Sequence, residues 1–287
     1  MEHPEQALAG LYFVPAPSRW PALGALALFC LGLGAALAVN GVAWGGWLLL
    51  FGALCLLLML YGWFGDVIGE NQQGRYHRQE SLSFRWGMGW FIFSEVMLFA
   101  VCFGVLFWLR LVALPTLGSL DYQWLYPDFS PSWPLQTAPQ ATQSYRAMAA
   151  WGLPALNTLI LLSSGATLTW AHWGLLLGRR RQLQAGLLCT FSLGGLFLLL
   201  QAIEYHHAWT AQHLTLAAGA YGMTFYMLTG LHGLHVLLGS IMLLVVWLRV
   251  LRGHFDRQHH FAFEAAAWYW HFVDVVWLLL FVLVYWL

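Results

Sequence analysis

Seven stretches of this chain stay apolar for the ~20 residues an α-helix needs to cross ~30 Å of hydrocarbon, and the polar residues gather between them. They lie near 20–40, 44–64, 84–109, 153–176, 183–205, 221–248 and 264–287. The pattern predicts an all-α, polytopic membrane protein with seven transmembrane helices. Only a few residues around Asn40-Gly41 separate the first two spans, so they must form an antiparallel hairpin. Residues 1–64 thus read as an N-terminal segment with a two-helix unit, 65–83 as a polar connection, and 84–287 as a five-helix bundle. A loop over 110–150 interrupts the bundle, and its Tyr122, Trp124, Tyr126 and Trp133 suit the headgroup level or a neighbouring subunit.

Composition sharpens this picture. Of the residues, 60% are hydrophobic and 8% charged, against roughly 25% charged in soluble domains. The charges balance at 12 against 12, which points to neither a nucleic-acid partner nor an acidic one. Every basic residue is arginine, a usage that fits a GC-rich bacterial genome. Ten arginines fall in the segments on the N-terminal side of the membrane, and two, Arg110 and Arg146, on the other. The positive-inside rule therefore places the N-terminus in the cytoplasm and the C-terminus outside. The opening Met1-Glu2-His3-Pro4-Glu5 lacks the basic start of a cleaved signal peptide, so the first span is expected to be retained. Cys30, Cys55, Cys102 and Cys189 lie singly within apolar segments, and neither a disulfide nor a metal site is expected.

The polar residues inside the spans carry the candidate chemistry, because an ionisable group in hydrocarbon costs about 2.5–3.5 kcal/mol unless it meets a partner, a cavity or water. In the last span Glu264 and His271 fall within about 20° of each other on a helical projection. His260 lies on the same side and Asp274 some 60° from His271, so one face of this helix is polar. Glu95 sits about eleven residues into the third span, roughly 16 Å deep. It reads as an isolated neutral acid bonded to another helix, or as a proton-relay group. His232 and His235, three apart in span six and flanked by glycines, read as helix packing or as haem or copper ligands. Glu204, Tyr205, His206 and His207 read as an interfacial cluster at the outer end of span five, and Asp66 and Glu70 share one face at the end of span two. Arg249, Arg252 and His254 close span six at the headgroup level, either as ordinary inside positives or as a pocket for anionic lipid.

Several runs resemble the cytochrome c oxidase subunit III family. They are Gly230-Leu231-His232-Gly233-Leu234-His235-Val236, His259-His260-Phe261, Glu264 through Trp277, Ser94-Glu95-Val96, Leu156-Asn157-Thr158, Thr169-Trp170-Ala171-His172 and Glu204-Tyr205. The resemblance implies a two-helix plus five-helix arrangement around a cleft filled with phospholipid, with no haem, copper or other metal on this chain. It implies a supporting role beside oxidase subunits I and II: proton uptake, protection of the catalytic subunit during turnover, and a route for oxygen. By the same resemblance Glu95 faces the cleft, Arg249 and Arg252 contact lipid headgroups, and Trp63 and Phe91 line the lipid site. The chain departs from the family around Gly65, Gly69 and the Arg75-Tyr76-His77-Arg78 run, and the loop over 110–150 matches poorly.

These features together predict a non-catalytic subunit of a bacterial plasma-membrane oxidase that takes electrons from cytochrome c. The alternatives are the equivalent subunit of a quinol oxidase or nitric-oxide-reducing complex, a free-standing proton-coupled transporter, and a membrane cytochrome with haem on His232 and His271. The complete first hairpin argues against the first, and the lack of an internal repeat against the second.

Overall fold

A computed structural model describes residues 13, 17–76, 78–119, 121, 124, 130–134, 145–216, 218–256 and 260–286. Met1–Glu5, His77, Tyr122, Tyr126, Arg257 and His259, used in the sequence reading, lie outside the described residues. Among the described residues there is no strand, and seven helices are long and apolar enough to cross a membrane. They are α1 (Trp20–Val39), α2 (Gly45–Gln72), α3 (Arg78–Trp108), α4 (Leu153–Leu176), α5 (Arg180–Thr210), α6 (Ala220–Leu251) and α7 (Phe261–Leu280). A wider π turn, Leu109–Ala113, carries α3 on into Leu114–Leu117, and another, Phe281–Trp286, ends α7.

The fourth span has the predicted bounds, while others run past the stretches the sequence predicts. α2 continues through the polar residues to Gln72, because nothing there interrupts its hydrogen-bond ladder and its acids find partners. Trp20 Nε1–H donates to Asp66 at 2.7 Å and the Tyr76 hydroxyl to Glu70 at 2.6 Å. The stretch 65–83 is therefore mostly helix, with only 73–77 lying between α2 and α3. Likewise, 110–117 extends the third span instead of opening the outer loop.

The chain divides into two compact units, Met1–Trp86 and Gly87–Leu287. In the first, α1 and α2 touch backbone to backbone. A Cβ at Gly34 would stand 2.6 Å from the Leu49 nitrogen, and one at Gly52 2.8 Å from the Leu31 nitrogen. Close contact at small residues is how helices gain packing energy where lipid offers no hydrophobic drive.

In the second unit, sharp turns set the helix ends. After α4 the chain reverses at Gly178 (φ 71°), where Gly178 N–H donates to Leu175 O at 3.1 Å and Arg179 N–H to Gly174 O at 2.7 Å. Only glycine takes that left-handed conformation without strain. The same bond pair closes α6 around Gly253 (φ 77°), with His254 N–H on Arg249 O at 3.1 Å, so the residues after α6 fold back beside its last turn.

Trp270 of α7 is the centre of this unit. It is fully buried, and its indole N–H donates to Ser164 Oγ of α4 at 2.9 Å. A Cβ at Gly194 of α5 would stand 2.5 Å from its ring and one at Gly239 of α6 2.9 Å from it. One side chain thus joins four helices, seated where two glycines leave room. About two and four turns on, Trp277 donates to Thr158 Oγ1 of α4 at 2.9 Å and Tyr285 to Glu204 of α5 at 2.8 Å. Ser164 and Thr158 of α4, both small, thus serve helix packing.

The described end of the outer loop docks on this same unit. Tyr145 stacks on Tyr221 at 5.9 Å, Trp133 meets that ring edge-on at 5.7 Å, and Met148 N–H reaches the Tyr221 hydroxyl at 3.3 Å. Of the rings that looked suited to headgroups or a neighbour, Trp133 thus covers the start of α6 instead, while Trp124 is exposed.

Candidate intramembrane site

Glu95 is not isolated. His235 of α6 points at it, with Nε2 to Oε2 at 2.8 Å, and neither side chain is more than 19% exposed. The other ring nitrogen, Nδ1, lies 2.7 Å from the Leu231 carbonyl one turn back, which accepts only if Nδ1 carries a hydrogen. One proton is then left to lie between Nε2 and the carboxyl group, on either partner. The pair is neutral overall in both arrangements, which removes the penalty of a bare charge at this depth. Phe99 meets the imidazole edge-on at 5.0 Å and Tyr269 of α7 lies nearly parallel to it at 6.2 Å. Phe91, one turn before Glu95 on α3 and half exposed, stacks on Tyr269 at 6.1 Å.

The two histidines of α6 diverge. His232 is buried between Phe197 and Trp277, with Nε2 3.2 Å from the Val273 carbonyl. Both nitrogens of His235 and one of His232 are engaged by protein groups, so ligating a metal or haem through His235 would displace one of its two hydrogen bonds. His271 lies half exposed on α7, with Nδ1 3.4 Å from Asp274 Oδ2. The Asp274 carboxylate packs on Gly165 of α4, where a Cβ would come within 2.5 Å of it. Glu264 instead faces His260, at 3.0 Å. The polar face of α7 therefore resolves into two short pairs, Glu264 with His260 and Asp274 with His271.

Glu204 departs from expectation. It is fully enclosed, not interfacial, because Tyr285 from the last turn of α7 closes over it and donates to Oε1. His206 and His207 of the same run are exposed.

At the far end of α6, Arg249 is nearly buried and its guanidinium lies over the Phe255 ring at 4.6 Å. Arg252 is exposed and His254 half-buried. Burial, and then the positive charges of Arg249 and Arg252, push the His254 imidazole below its ordinary range. Arg180 crosses from α5 to donate to the Leu251 carbonyl at 2.9 Å. Arg180 of α5, Arg249 of α6, and Arg252 and His254 just beyond it thus gather around one helix end. Trp63 lies in the first unit, about half exposed and stacked on Phe64 at 5.5 Å.

Fold and site together define a polytopic helical membrane protein whose intramembrane acids are matched to histidines or tyrosine, with a basic cluster at one end. The family model described as cytochrome c oxidase subunit III matches residues 11–287. Relatives named cytochrome c oxidase subunit 3 are 42% identical over 281 residues in Dugong dugon and 42% over 278 in Equus caballus, each match covering 96% of both chains. In Marchantia polymorpha the identity is 40% over 271 residues, 94% of both chains. The chain belongs to the cytochrome c oxidase subunit III family.

Proposed function

We propose that this chain is the non-catalytic third subunit of a respiratory haem-copper oxidase in a bacterial plasma membrane, assembled with subunits I and II and fed by cytochrome c. The match over nearly the whole chain carries this reading. The arginine distribution supports a cytoplasmic N-terminus and a periplasmic C-terminus. In this role the chain binds structural phospholipid, supports proton uptake into the catalytic subunit, prolongs its working life and offers oxygen an apolar approach through bound lipid.

The Glu95–His235 pair suits such a supporting part. It holds one proton between two helices, and Asp274 and Glu264 are each matched to a different histidine. What supports the lipid role is the cluster of Arg249, Arg252 and His254, a match for a phosphate headgroup. Replacing both arginines by glutamine is expected to reduce copurifying anionic phospholipid, counted by lipid mass spectrometry, and to shorten catalytic lifetime. Unchanged lipid content would refute the assignment. An anion beside His254 favours its imidazolium, opposing the two arginines. Anionic lipid binding should therefore tighten as the pH falls from about 8 to about 5, and His254 should titrate at higher pH with lipid bound than without. A His254 titration indifferent to lipid would count against the pocket.

The supporting role is tested on the oxidase itself. Complex depleted of this chain is expected to begin oxygen reduction normally and then inactivate within fewer turnovers. Equal lifetimes with and without the chain would overturn the proposal.

A further inference from the structure

We propose that His172, His260 and Glu264 form a binding site for a divalent transition cation of the zinc class, tying the end of α4 to the start of α7. One potential ligand atom from each lies within 4.8 Å of the others. His172 comes from the last turn and a half of α4, His260 is the residue at which α7 begins, and Glu264 lies one turn further on. Two imidazoles and one carboxylate are a donor set that zinc accepts, with a fourth position open to water.

The second observation is the orientation of His260. Its Nδ1 lies 3.1 Å from the Asp256 carbonyl, which requires the hydrogen to be on Nδ1. Its Nε2 then presents a lone pair to Glu264 Oε1 at 3.0 Å. Two lone pairs face each other at hydrogen-bond distance, and a cation between them, proton or metal, is what makes the contact favourable. A backbone carbonyl fixing the tautomer of a histidine is the usual outer support of a metal-binding imidazole. His172 supplies what a proton would not need, a third donor on the same point: its ring centroid is 6.1 Å from that of His260 and 5.2 Å from that of Phe263. His271, the next histidine on α7, faces Asp274 at 3.4 Å and is left out of the set.

The isolated cysteines gave no expectation of zinc. This site uses none, and 88 positions separate His172 from His260. His172 and Glu264 are each partly exposed, so a cation can reach the site without crossing the bundle.

The test uses the assembled complex, stripped with chelator, equilibrated with zinc ion alone and desalted. Metal content is compared between the natural chain and the variants His172→Gln and His260→Gln. Each variant is expected to retain about one zinc fewer per complex. Zinc X-ray absorption spectra of the natural complex should also show an imidazole-containing component, with ligands at about 2.0–2.2 Å, that both variants lose. His260→Gln disturbs the first turn of α7, whereas His172→Gln leaves that turn intact, so the second variant reads the site without depending on the first. Equal zinc in the natural complex and His172→Gln would overturn the proposal. So would anomalous scattering at the zinc edge that places no ion between His172 and His260.

Discussion

Trp270→Ala is expected to destabilise the second unit by about 3–5 kcal/mol, the range for truncating a buried tryptophan. The ring fills the space over Gly194 and Gly239 and donates to Ser164, so its loss opens a cavity among four helices and leaves the hydroxyl without its donor. Trp270→Phe should cost less, since most of the volume remains and only a hydrogen bond worth about 1 kcal/mol is lost. From the opposite side, Gly194→Val forces methyl groups into the ring and is expected to cost about 1–3 kcal/mol by overpacking. Denaturation in detergent, followed by helix content, ranks the three. A Trp270→Ala chain as stable as the natural one would mean that α7 is held by something other than this contact.

The second large effect belongs to Glu95→Leu. His235 Nε2 would be left facing hydrocarbon, at a cost of about 1–3 kcal/mol for an unsatisfied buried group, rising to about 3–5 kcal/mol where the pair is ionic. Glu95→Gln keeps the contact, because its amide N–H can donate to Nε2, so stability and most oxidase turnover should survive. Replacing Glu95 and His235 by leucine singly and together forms a cycle whose coupling is expected at about 0.5–3 kcal/mol. Additive effects would show that the pair is not a bond. Complete loss of proton pumping in Glu95→Gln would show that Glu95 carries protons instead of joining helices.

How much of this was legible in the sequence follows from what each feature depends on. The spans depend on local hydrophobicity over one membrane thickness, and 153–176 was read with the bounds α4 has. The ends of α2 and α3 were missed because a helix need not stop where hydrocarbon does, and polar residues beyond it continue the ladder as readily as they form a loop. Pairing was the least legible part. Glu95 looked alone because its partner lies 140 positions away, although the two histidines of α6 were marked as polar groups in need of a reason. Glu204 looked wet because it stands near a span end, and only the fold brings Tyr285, 81 positions on, over it. His172 was quoted in a motif and given no role, since one histidine near a span end carries no signal without the residues it meets.

The most direct measurement is purification of the tagged chain in mild detergent, with an optical spectrum and mass spectrometry of what accompanies it. The expected result is recovery of haem-bearing subunits I and II together with phospholipid, the haem bands staying with those subunits when this chain is removed. A chain that purifies alone, or one that keeps haem after its partners are stripped away, would contradict the role of supporting subunit.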